Sequence, residues 1–134
     1  MMSPLYATLH RWAATPHEWG QSDCMMALAD WVHLVRGFDP GAGIRGTYGD
    51  PDICPVGRAL RRDPEPHWRK ALHDLPITDA PLPGDVALVA VPGTRFLCGA
   101  LRLKGNWAMK TSGKGVCVTR RATMHLCWAV GYEA

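Results

Sequence analysis

Pro76, Pro81 and Pro83 mark the point at which the hydrophobic period of this chain changes from that of helices to that of strands. Before them apolar residues recur every three or four positions, and after them they alternate or run together in short blocks bounded by glycine. Proline cannot continue a helix and brings no N–H to a sheet ladder, so a cluster of it separates elements. Helices first (1–80) and strands second (84–132) constrain the chain to an α+β architecture, with N-terminal helices packed on a C-terminal antiparallel sheet of about five strands. The 134 residues fit one domain, 1–134. A domain of that size buries about two-thirds of its unfolded surface without disulfides or metals.

In the helical half, Ser3-Pro4 followed by Leu5, Tyr6, Leu9 and Trp12 predicts a short helix capped by Ser3 and ended before Thr15-Pro16. A longer helix is expected from Ser22 to Gly37, with Ser22 as its cap, Asp23 favoured by the dipole, and Cys24, Ala27, Leu28, Trp31, Leu34 and Val35 on one face. Gly37 to Pro51 carries five glycines and reads as an irregular connection with a single turn around Ala42. Two further helices are expected from Pro55 to Arg62 and from Pro66 to Leu75. Strands are expected at Asp85–Val91, Phe96–Leu103, Asn106–Lys110, Val116–Thr119 and Leu126–Tyr132, joined as a meander through Gly93, Gly105 and the turn Ser112-Gly113-Lys114-Gly115.

Composition narrows the partners. Hydrophobic residues at 47% and charged residues at 20% exclude a disordered chain. The net charge of +3 is spread over short basic clusters, Arg58/Arg61/Arg62, Arg69/Lys70 and Arg120/Arg121, set among acids. These read as solvated surface, and no nucleic acid is expected as a partner. The segment Met1 to Trp12 has neither a signal-peptide core nor a membrane span, so no membrane insertion is expected and the expected compartment is cytoplasmic when synthesised. Five cysteines, Cys24, Cys54, Cys98, Cys117 and Cys127, form no C-x-x-C pair, so free thiols are expected. No cofactor is implied, and without a ligand-spacing motif no metal is expected.

The residues that could carry chemistry lie in Trp19-Gly20-Gln21-Ser22-Asp23-Cys24. A thiol in the first turn of a helix sits beside unpaired backbone N–H groups, which favour its thiolate and could also hold an oxyanion. Cys24 is therefore the candidate nucleophile, against the plainer alternative of a small buried residue on a core helix. The six tryptophans fall mostly at inward positions, with Trp19 the one placed to line a groove near Cys24.

Several runs together resemble a known family. Trp19-Gly20-x-x-Asp23-Cys24 opening a helix and a late Gly84-Asp85-Val86 opening a strand look like the NlpC-type cell-wall peptidases of the papain-like superfamily. With Ala29-Asp30-Trp31-Val32, Gly37-x-Asp39-Pro40, Arg45-Gly46-x-Tyr48, Leu97-x-Gly99 and Trp128-Ala129-Val130, the chain resembles the small NlpC-like family of phage, prophage and gene-transfer-agent tail gene clusters. The resemblance implies a papain-like fold with Cys24 as nucleophile, a histidine on the second strand and a third polar residue on the next. Carried over by position, the histidine slot holds Leu97, with Cys98 beside it, and the orienting position falls near Met109. Neither Leu97 nor Met109 can accept a proton, and a papain-like thiol without its base loses orders of magnitude in rate. His17 and His125 are the candidate imidazoles to replace it; His10, His33, His67 and His73 fall on helical surfaces, and Asp23 reads as a helix-start residue.

The resemblance thus implies a structural or assembly component of a phage-like tail, a virion protein whose partners are other phage-like tail proteins. The alternative is a peptidoglycan-cleaving cysteine endopeptidase or amidase acting through Cys24, with peptidoglycan as its partner. A host-side domain unrelated to phages is a third reading.

Overall fold

In the computed structural model, which describes residues 2–112 and 115–133, four helices precede five strands that form one antiparallel sheet. Helix α1, Pro4–Ala14, starts where Ser3 Oγ accepts the Tyr6 N–H, and it buries Leu5, Thr8 and Trp12 along one side. Helix α2, Cys24–Arg36, buries Met26, Ala27, Leu28, Ala29, Trp31 and Val32 and ends at Gly37, whose φ of 83° is the left-handed C-cap. Helices α3, Pro55–Arg62, and α4, Glu65–Ala71, are short. The last expected helix stops before Leu75 because the chain leaves helical geometry at Leu72; Leu72 and Leu75 remain buried through a following turn.

The strands are β1 Val86–Ala90, β2 Cys98–Arg102, β3 Trp107–Thr111, β4 Gly115–Thr119 and β5 Thr123–Trp128, in the order β4-β3-β2-β1-β5. The expected meander holds for the first four. The fifth departs from it, returning across the sheet to pair with β1. It also begins and ends earlier than the expected Leu126–Tyr132. Leu88 pairs with Leu126 but Val89 pairs with Met124, so His125 is the extra residue of a bulge that breaks the alternation. The outer edge of β5 is covered by the proline-rich segment: Thr78 N–H donates to Cys127 O and Ala129 N–H donates to Pro76 O. At the β3–β4 turn, Gly113 and Lys114 lie outside the described residues.

Two apolar clusters result. Val86, Leu88, Leu101, Ala108, Leu126 and Trp128 face the helices; Ala87, Val89, Ala100, Trp107, Met109 and Cys127 pack together separately. Long-range polar contacts tie the halves. The Trp31 indole Nε1 donates to Gly84 O at 2.7 Å, and the Asp85 carboxylate accepts from Leu82 N–H at 2.8 Å and Val130 N–H at 3.0 Å. Lys110 on β3, only 4% exposed, donates through Nζ to Trp12 O at 2.6 Å and to Thr15 O. Those are carbonyls at the negative end of α1, so the helix end compensates a cation that burial would otherwise penalise. Close backbone approach seats α2 on the sheet: a Cβ on Gly99 would come within 2.7 Å of Leu28 Cδ1.

Candidate functional site

The groove around Cys24 is built from the entry to α2, the glycine-rich connection, α3 and the segment leading into β2. Its geometry begins with Gly20, whose φ is 81° and whose Cβ, if present, would lie 2.4 Å from Tyr48 O. Only glycine fits there. The turn brings Gly20 N–H to Asp23 Oδ2 at 2.8 Å, while Asp23 Oδ1 accepts from Met25 N–H at 3.0 Å and Met26 N–H at 2.9 Å. The Tyr48 hydroxyl donates to Asp23 Oδ2 as well. Asp23, not Ser22, is therefore the N-cap. Ser22 Oγ instead donates to Pro16 O at 2.6 Å. Both residue types cap helices, and the choice is made by Tyr48, a partner distant in sequence.

Two expectations fall with this cap. The first-turn N–H groups of Met25 and Met26 are already donated to a carboxylate, so they are not free to hold an oxyanion. The same carboxylate opposes ionisation of the neighbouring thiol. Burial, then the Asp23 charge, push the half-buried Cys24 up from 9.0 to about 12, against the pull of the Gly99 N–H. The helix-start argument predicted a lowered value. It fails first because burial penalises the thiolate, and second because the Asp23 anion at the N-cap opposes the positive end of the helix.

Cys24, Leu97 and Cys98 line one groove, so the residue that the resemblance sets in the histidine slot shares a cavity with the thiol. The groove has a volume of about 240 Å³ and apolar walls that include Met25, Phe96 and Trp68, with Trp19 at its edge. No imidazole is among its lining residues. His17 packs edge-on against Trp19 with ring centroids 4.6 Å apart. His125 Nε2 lies 2.6 Å from Glu65 Oε1 on α4, and His73 Nδ1 lies 3.0 Å from Lys70 O. Met109, placed by the resemblance in the orienting slot, packs in the second cluster beside Trp107 and Cys127, so it does not face Cys24. Alternation along β3 turns Ala108 and Lys110 toward the helices instead.

Three residues at or near the groove were not legible in advance. Tyr48 entered only through the resemblance, and its hydroxyl is held protonated by burial and the Asp23 charge. Arg61, read as solvated, lies with its guanidinium carbon 4.7 Å from the centroid of the Phe96 ring and also lines the groove. Cys54, at the N-cap of α3, accepts from Gly49 N–H at 3.3 Å, and the N–H groups of Gly57, Gly49 and Val56 lower its pKa. The chemistry expected of Cys24 at a helix start is therefore found at Cys54, where no acid occupies the cap. Among the described residues no group of three or more His, Cys, Asp or Glu side chains gathers to hold a metal ion, and no helix is long and apolar enough to cross a membrane.

No curated protein and no solved structure matches the chain. Residues 2–130 match the family described as a domain of unknown function, DUF6950, and the chain belongs to that family.

Proposed function

We propose that this domain is a phage-like tail component on a papain-like, NlpC-type scaffold, with a structural or assembly role and an incomplete catalytic site. One observation carries the incomplete-site part of the reading: Cys24 lines an apolar groove together with Leu97 and Cys98, and no imidazole lines that groove; the tail setting rests on the resemblance of the sequence motifs. Two further features support it. The carboxylate of Asp23 occupies the Met25 and Met26 N–H groups, two of the first-turn donors, and burial with that charge keeps the sulfur protonated at neutral pH. A cysteine peptidase needs a thiolate, a proton donor for the leaving amine and free donors for the oxyanion. The proposed scaffold keeps the helix-on-sheet arrangement, α2 against β2, and uses its surface to bind other tail proteins.

The test is hydrolysis. Purified protein and its Cys24→Ala variant are incubated with peptidoglycan sacculi, and soluble muropeptides are followed by chromatography over hours. The expected result is no release above the variant. Release that depends on Cys24 would establish a peptidoglycan endopeptidase or amidase and defeat the structural reading.

A further inference from the structure

The groove beside Cys24 has the wrong chemistry for polar, highly charged ligands and a specific chemistry of its own. Its walls are carbon apart from a few groups, and most of those are spent: Asp23 accepts four hydrogen bonds, Tyr48 donates to Asp23, and Cys24 is neutral. Arg61 remains. Its guanidinium is stacked on Phe96, its Nη1 lies 3.3 Å from Asp52 Oδ1, and its Nε is buried with no hydrogen-bond partner. Asp52 is itself 76% exposed, so that ion pair is weak and readily exchanged. Arg58, one turn earlier on α3, is committed to Pro51 O and Asp52 O, so Arg61 is the cation that lines the groove and makes this side complementary to a negative charge.

Size narrows the class further. At about 240 Å³ the groove is smaller than the roughly 300–1,000 Å³ of pockets that enclose whole drug-sized ligands. It suits one or two side chains, as an anchor pocket does in a protein interface. Resting on the docking role proposed above, we infer that the Cys24 groove receives a peptide segment of a partner protein: a bulky apolar side chain enters between Leu97 and Trp68, and an adjacent carboxylate pairs with Arg61. That carboxylate belongs to an acidic residue beside the apolar one, within the segment.

The experiment titrates the full chain with three short acetylated peptides, followed by two-dimensional NMR and tryptophan fluorescence. One has phenylalanine beside an internal aspartate, one ends in phenylalanine with a free carboxylate, and one has phenylalanine beside asparagine with an amidated end. Decanoate is titrated in parallel. Saturable binding of the peptide with the internal aspartate is expected, with shifts centred on Trp19, Cys24 and Leu97; binding of the chain-end peptide alone would overturn the assignment. The neutral peptide should bind at least about tenfold more weakly, as should the acidic peptides to Arg61→Met, because a charge-assisted pair is lost. Leu97→Trp, which fills the groove, should abolish binding while the unfolding midpoint stays near that of the parent.

Equal binding of neutral and acidic peptides, insensitivity to Arg61→Met, shifts centred elsewhere in the parent protein, tighter binding of decanoate, or no binding at all would each overturn the assignment. The two readings fail separately. Cys24-dependent muropeptide release removes the docking role, whereas loss of peptide binding removes only the groove's ligand.

Discussion

Raising the pH should reveal which cysteines of this protein are nucleophiles, and the order should be the reverse of what their helix positions suggest. The Cys24 thiol is pushed from 9.0 to about 12 by burial and by Asp23. At pH 8 a thiol of pKa 9.0 is about one-tenth ionised and one of pKa 12 about one ten-thousandth, a deficit of roughly a thousandfold. A more basic thiolate attacks faster, and a Brønsted slope of about 0.4–0.5 returns roughly 15- to 30-fold over three units. The net expectation is alkylation of Cys24 about 30- to 60-fold slower than an unperturbed thiol, before any loss of access. Cys54, held by three backbone N–H groups, should react faster than the unperturbed reference. Timed iodoacetamide labelling between pH 6 and pH 11, quenched and mapped by peptide mass spectrometry, reads every cysteine in one sample. Cys24 labelling as fast as Cys54 at pH 8, or a Cys24 rate that levels off below pH 9, would refute the argument that burial together with the N-cap carboxylate holds this thiol protonated.

Three other outcomes follow from the same contacts. Cys24 and Cys127 both have folded values raised to about 12, so the stability they contribute is complete below the unfolded value of 9.0 and is withdrawn as the pH rises toward 12. Urea midpoints should therefore fall over that window, and more steeply for the parent than for the Cys24→Ala, Cys127→Ala double variant; identical slopes would contradict the assignment. Lys110→Met keeps the buried stem but leaves the Thr15 carbonyl without its donor and Trp12 O with the Thr15 N–H at 3.4 Å, and should lower stability by about 1–3 kcal/mol by chemical denaturation; a change under about 0.5 kcal/mol would mean that water replaces the ammonium. Leu97→His puts an imidazole in the groove and should accelerate Cys24 alkylation without producing muropeptide release, because Asp23 still occupies the Met25 and Met26 N–H groups; efficient turnover by this variant would show that the missing base was the sole defect.

Much of the architecture could be read from local rules, and the misreadings share a cause. The position of α2, its end at Gly37 and the switch to strands after Pro83 depend on nearby residues, so periodicity and capping chemistry found them. The cap itself was displaced from Ser22 to Asp23 because Tyr48, 25 residues away, donates to the carboxylate. The phase of β5 was missed because a bulge at His125 interrupts an otherwise regular alternation. Leu97 lines the groove of the thiol, as a short run next to Gly99 suggests, whereas Met109 lies on the other face of the sheet because the count across the β2–β3 turn is not fixed by spacing. Arg61 looked solvated because nothing in its own helix announces the Phe96 ring that packs beneath it. Local sequence reports what each segment prefers, and partners distant in sequence decide between near-equal preferences.

The Lys110 ammonium has a consequence for the order in which this molecule is assembled. The carbonyls it secures at the close of the first helix precede it by 98 and 95 residues. As the chain leaves the ribosome, that helix can coil but cannot be clamped until the third strand has been made, and Trp31 must likewise wait 53 residues for its carbonyl at Gly84. Fixing contacts of such long sequence separation late slows folding. A nascent fragment ending before the third strand should therefore retain an unfastened, protease-sensitive amino-terminal segment, and resistance should arrive in one step once residue 110 has cleared the exit tunnel.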